Sequence, residues 1–132
     1  LYDKLRRKHG PEKAAEILRE IKKLGFGISL DDFGTGYSSL KYLQMLPLTT
    51  LKIDKSFIQS ITSKDGVSEN ITNSIISMVT KMGIDTIAEG VEKVGQLLIL
   101  QQLNCKTIQG FLRGKPMNEL SVEKFLLGEI KL

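Results

Sequence analysis

Tryptophan is absent from the 132 residues, and histidine and cysteine occur once each, as His9 and Cys105. A single cysteine cannot close an intramolecular disulfide, which fits a reducing cytoplasm. Cys105 sits in an apolar helix-to-strand context and His9 in a polar stretch, so the pair a thiol nucleophile needs is not in view and Cys105 reads as filler. No apolar run is long enough to span a bilayer and no charged-then-apolar leader opens the segment, so neither secretion nor membrane contact is expected of it. A cytoplasmic location is expected, although a longer parent could still be membrane-anchored. Basic residues interleaved with aromatics are also missing, so the net charge of +4 does not make a duplex or single-strand binding surface. That charge is local. Within the first 24 residues Lys4, Arg6, Arg7, Lys8, Lys13, Arg19, Lys22 and Lys23 oppose only Asp3, Glu12, Glu16 and Glu20, as a solvated helix face would.

The hydrophobic fraction of 41% is enough to bury one core. Ala14, Ile17, Leu18, Ile21 and Leu24 recur at helical spacing between Pro11 and Gly25, which predicts a helix over 12–24. Phe26 to Leu30 has the length and apolarity of a strand, and a helix follows from Ser38 to Met45, stopped by Pro47. Thr50 to Ile53 alternates, with Leu51 and Ile53 on one face and Lys52 and Asp54 on the other. Ile71, Ile75, Met78, Val79 and Met82 mark the next helix, closed by Gly83. Ile84 to Ala88 is a third strand, Val91 to Leu103 a helix, Lys106 to Gln109 a fourth strand, and Ser121 to Leu127 a last helix with a serine cap. Only Ser60 to Asn70 is a long polar loop. Strands separated by helices run parallel with both faces covered, so an α/β fold is expected, either a doubly wound sheet or a βα barrel.

Among the loops, Asp31-Asp32-Phe33-Gly34-Thr35-Gly36-Tyr37-Ser38-Ser39-Leu40 stands out. Two adjacent carboxylates repel, and hard divalent cations favour oxygen ligands of this kind. Asp31 and Asp32 are therefore a candidate metal site, or else they cap the helix that follows. The other strand ends carry Lys52 and Asp54, then Glu89 and Glu92, then Gln109. Parallel βα architectures bring such ends to one rim. Carboxylates there can hold two ions, and a lysine can stabilise a developing oxyanion, which is the equipment of phosphodiester hydrolysis. Each residue also has a plainer reading: Lys52 as a salt-bridge partner, Glu89 and Glu92 near a helix start, Gln109 in a turn.

Taken together, Asp31 to Leu40, Leu51-Lys52-Ile53-Asp54-Lys55-Ser56-Phe57-Ile58, Ala88-Glu89-Gly90-Val91-Glu92 and Gln109-Gly110-Phe111-Leu112-Arg113-Gly114-Lys115-Pro116 resemble the successive motifs of the EAL domain family. The resemblance implies a modified TIM barrel that binds cyclic di-GMP and hydrolyses it to the linear dinucleotide with two magnesium or manganese ions. By position, it implies that Asp31 bridges the metals and Asp32 binds the second, that Lys52 holds the attacking water, and that Glu89 acts on that water. It further implies that Glu92 anchors the Asp32 to Leu40 loop near a dimer contact, that Gln109 touches the ligand, and that Asp54 is a supporting group.

The glutamate-alanine-leucine segment that names the family is missing, as are an asparagine and a glutamate that complete the first metal shell. A full barrel takes about 250 residues, so residues 1–132 are expected to be the C-terminal half of one such domain, with four parallel strands. Such a half leaves its first strand unpaired, inviting the missing N-terminal half or a second copy as a homodimer partner. Alone it is expected to be nearly inactive. Two further readings are a noncatalytic module that binds cyclic di-GMP or a protein, and a nucleotide-binding doubly wound domain. Gly34-Thr35-Gly36 lacks the remaining fingerprint of the latter.

Overall fold

The computed structural model describes residues 1–33 and 39–112, apart from the side chains of Asp32 and Ser39. The predicted helix over 121–127 and the glycine loop over 34–38 lie outside the described residues.

Helix α1, Tyr2–His9, is followed without a loop by α2, Pro11–Lys23. Gly10, at φ 86°, makes the corner between them, and Pro11 starts α2 where its missing N–H costs nothing. Tyr2 packs edge-on against Tyr42 with ring centroids 5.2 Å apart, so α1 docks on the body through an aromatic pair. Ala14, Ala15 and Leu18 form the buried stripe of α2.

The alternation then continues as β1 Ser29–Phe33, α3 Ser39–Met45, β2 Thr50–Ile53, α4 Lys55–Gln59, α5 Val67–Lys81, β3 Asp85–Glu89, α6 Val94–Gln102 and β4 Thr107–Gln109. All four strands pair parallel in the order β1-β2-β3-β4. Sequential order with helical crossovers puts every carboxyl end on one rim.

The first strand starts and ends three residues later than apolarity predicts. Phe26 is apolar yet 63% exposed, and the chain enters the sheet through Ile28, whose N–H and C=O both bond Thr49 Oγ1 at 2.8 and 3.0 Å. The ladder proper begins at Ser29 opposite Thr50. Asp31 and Asp32 are thus inside β1.

One side of the sheet carries the core. Phe33, Leu51, Ile53 and Ala88 point to it and are almost fully buried, with Leu43, Leu46, Ile58, Ile76, Val79 and Leu100 packed from the helices. Each of the larger of these side chains contributes about 1.5–3 kcal/mol, so the helix-covered face anchors the sheet. The opposite face is polar and open. There Thr50 and Lys52 of β2 stand beside Asp85 and Ile87 of β3, and Glu89 beside Gln109 of β4.

Loop boundaries follow caps. Asp65 Oδ1 accepts the Val67 N–H at 3.0 Å and Gly66 takes the left-handed conformation, so α5 opens at Val67, inside the stretch read as loop. The short α4 also falls outside that reading.

Candidate functional site

A break in register shapes the first strand end. Leu30 pairs with Leu51 and Phe33 with Ile53, so three steps along β1 match two along β2. The extra residue is a bulge, which increases local twist and commonly lies beside active sites. Its effect is direct: Leu30 and Phe33 stay on the helix side, and Asp31 and Asp32 both fall between them. Asp31 is exposed in this widened stretch, and its carboxylate faces Lys52 on the open side of the sheet. The approach to α3, where a capping role for Asp31 or Asp32 would act, lies outside the described residues.

Three side chains meet on the open face. Lys52 Nζ lies 3.7 Å from Asp31 Oδ1 and 4.0 Å from Glu89 Oε1, from strands on either side. Lys52 and Glu89 are only 28% and 23% exposed, whereas Asp31 is 62% exposed. Both separations exceed the 2.7–3.2 Å of a direct hydrogen bond. The lysine therefore neutralises two carboxylates without being locked to either.

Three further predicted residues, Asp54, Glu92 and Gln109, line one cleft of about 380 Å³, with Lys55, Glu89 and Phe111 also in its wall. Glu89 belongs to both groups, so it joins the lysine cluster to the cleft. Gln109 lies beside it in the β3–β4 ladder. Asp54 caps α4: its carboxylate accepts the Ser56 N–H at 2.9 Å and the Ser56 hydroxyl. Asp54→Ala is expected to lower folding stability by about 1 kcal/mol, measured as a shift in denaturant midpoint, and Asp54→Asn should recover most of it.

Glu89 and Glu92 do not cap α6. Glu89 ends β3, and Lys93 is the N-cap. Two glycines fold the rim tightly here. A Cβ on Gly90 would sit 2.7 Å from Lys55 Cβ, and one on Gly110 would lie 2.3 and 2.4 Å from the carbonyl oxygen and nitrogen of Val91. The exits of β3 and β4 are also sewn together, with the Val91 N–H donating to the Gln109 carbonyl (3.1 Å) and the Leu112 N–H to that of Val91 (3.0 Å).

Sequence reasoning missed Gln96. It is 3% exposed, and its Oε1 accepts the N–H groups of Glu92 and Lys93 at 2.9 and 3.1 Å. Its position, three residues after the N-cap, is the signal that could have found it.

As a metal centre, Asp31 and Glu89 offer hard oxygen donors, the chemistry a magnesium-like or manganese ion requires. Among the described residues no three carboxylate, imidazole or thiol groups come together to hold an ion. Asp31 and Glu89 fit such an ion as two of its oxygen donors. No helix among the described residues is long and apolar enough to cross a membrane.

Comparison with known proteins gives a consistent picture. Residues 6–116 match the EAL domain profile. The chain is 42% identical over 115 residues to the cyclic di-GMP phosphodiesterase NbdA of Pseudomonas aeruginosa, covering 87% of this chain and 15% of that protein. It superposes on the MucR phosphodiesterase of the same organism, solved as a c-di-GMP complex, with TM-score 0.75 and 38% identity over 86% of this chain and 46% of that one. A manganese and cyclic di-GMP complex of Klebsiella pneumoniae BlrP1 matches with TM-score 0.70 and 31% identity, covering 76% and 26% of the two chains. The four parallel strands are thus those of a TIM-like α/β barrel, and the chain spans under a fifth of the curated relative and under half of these two solved chains.

Proposed function

Since the chain belongs to the EAL domain family, we propose that it is the C-terminal portion of a single phosphodiesterase domain that hydrolyses cyclic di-GMP to the linear dinucleotide. The observation that carries this reading is Lys52 held between Asp31 and Glu89 on the open face of the sheet.

In the proposed reaction a water oxygen attacks phosphorus, one P–O bond to the ribose breaks, and the departing oxygen takes up a proton. Lys52 holds the attacking water and screens the charge that develops on it. Glu89, a strand away, accepts the water's proton as general base. Gln109, beside Glu89, contacts the dinucleotide from the cleft. Glu92 anchors the loop running from Asp32 to Leu40, and Asp54 keeps the rim in shape through its cap. Asp31 and Asp32 are the residues that would hold two magnesium or manganese ions. Such ions, when bound, polarise the phosphoryl group and lower the pKa of water. The remaining ligands are proposed to lie on strands of the same domain outside residues 1–132, pairing with the β1 edge. The BlrP1 complex with manganese and cyclic di-GMP supports this choice of cofactor. The working location is proposed to be the cytoplasm.

The test is turnover of cyclic di-GMP with manganese, followed by chromatography of the linear product. The protein carrying this chain is expected to hydrolyse, and residues 1–132 alone to stay near background, because missing metal ligands sharply reduce affinity and rate. Binding without hydrolysis by the whole protein would instead support a noncatalytic module. Asp31-dependent, metal-dependent turnover by residues 1–132 alone would overturn the claim that they are insufficient. Sedimentation of the isolated chain reads whether the β1 edge pairs with a second copy.

A further inference from the structure

We propose that Gln96 is a positioning residue for Glu89, setting the conformation of the segment between β3 and α6; the proposal rests on the phosphodiesterase reading above. The segment from Glu89 to Lys93 has no helical or strand pairing of its own beyond Glu89. It is fixed at three points. At one end Glu89 is held in the ladder opposite Gln109. In the middle Val91, fully buried, bonds through both its backbone groups to the β4 exit. At the far end one buried oxygen, Gln96 Oε1, takes the N–H groups of both Glu92 and Lys93.

The last of these holds is supplied by a side chain, the first and second by backbone pairing. Amides just before a helix have no intrahelical acceptor, so one carboxamide serving two of them is a strong local constraint. Gly90, at φ 75°, and the buried Val91 join Glu89 to this anchor. Without the anchor the turn rests on the two Val91 bonds alone, and the carboxylate at its start is held less firmly relative to Lys52. Displacements of this kind reduce rate far more than they reduce binding when the displaced group acts on the attacking water. Gln109 is less affected, because its carbonyl is held by Val91.

The experiment compares Gln96→Met and Gln96→Glu in the protein that carries this chain, at a temperature where circular dichroism shows both folded. Gln96→Met fills the space and removes the acceptor. Its kcat for cyclic di-GMP should fall at least about tenfold with KM within about threefold, and hydrogen exchange at the Glu92 and Lys93 amides should accelerate to a similar extent. Gln96→Glu keeps an acceptor oxygen near the helix N-terminus and should restore both kcat and amide protection. Should Gln96→Met not fold, Gln96→Asn, one methylene too short to reach both amides, is expected to show the same losses. Wild-type kcat in the variant lacking the acceptor, or protection regained in Gln96→Glu without kcat, would overturn the positioning role. A wild-type protein that does not hydrolyse overturns the functional reading instead. Unchanged exchange at the two amides in Gln96→Met overturns the anchoring in either case.

Discussion

Lys52→Met in the protein carrying this chain is expected to lower cyclic di-GMP turnover by about 10³-fold, the scale of losing a group that stabilises charge in a transition state. The fold should barely change. Lys52 is partly exposed and its contacts to Asp31 and Glu89 are loose, at 3.7 and 4.0 Å, so as ion pairs they contribute little. Stability should therefore move by less than about 1 kcal/mol. The two measurements together separate the proposed role from a structural salt bridge: activity lost in step with the melting temperature would show that Lys52 only holds strands together. Lys52→Arg is expected to recover little, because a planar guanidinium distributes its donors differently from a compact ammonium.

Gly110→Ala is expected to have the largest effect on the fold. The added methyl would lie 2.3 Å from the Val91 carbonyl oxygen and 2.4 Å from its nitrogen, and both are backbone atoms that cannot rotate away. Relief requires the β4 exit to move and the bonds joining Val91 to Gln109 and Leu112 to stretch. A cost of about 3 kcal/mol follows, or a melting temperature lower by about 10 °C. A stability loss under about 1 kcal/mol would mean that the two loops are not packed as described. Gly90→Ala should also be costly, since its methyl would meet the Cβ of Lys55 at 2.7 Å, an atom fixed by the α4 backbone, and Gly90 holds a left-handed φ of 75° that an alanine adopts only under strain.

The rhythm of strand and helix was legible because side-chain period reports which face is buried. Leu51 and Ile53 against Lys52 defined β2 to its observed ends, and Ala14, Leu18 and the flanking Pro11 and Gly25 defined α2 to within a residue. Lys52 and Glu89 were legible as members of one rim because the ends of parallel strands meet there, although the register sets Lys52 opposite Ile87, two residues before Glu89. Boundaries set by backbone bonding were not. Phe26 reads as strand by apolarity but is largely exposed, and Val91 to Lys93 read as helix although α6 waits for its cap at Lys93. The helices of 13 and 15 residues, α2 and α5, announced themselves; α4, five residues on an aspartate cap, did not. Gln96 was invisible to a search for chemical groups, because its task is to hold amides rather than to react. Nothing in residue type reveals a bulge either: the pairing partner, Leu51 to Ile53, decides it.

That bulge sets regularity against chemistry within a single strand. Loss of either aspartate by deletion would let Phe33 follow Leu30 at the spacing Ile53 keeps from Leu51, giving a smoother ladder with the same residues in the core. Such a shortened chain would be a better sheet and a poorer site. On pairing alone the extra residue costs β1 a regular ladder, and what it adds is a second aspartate in the strand.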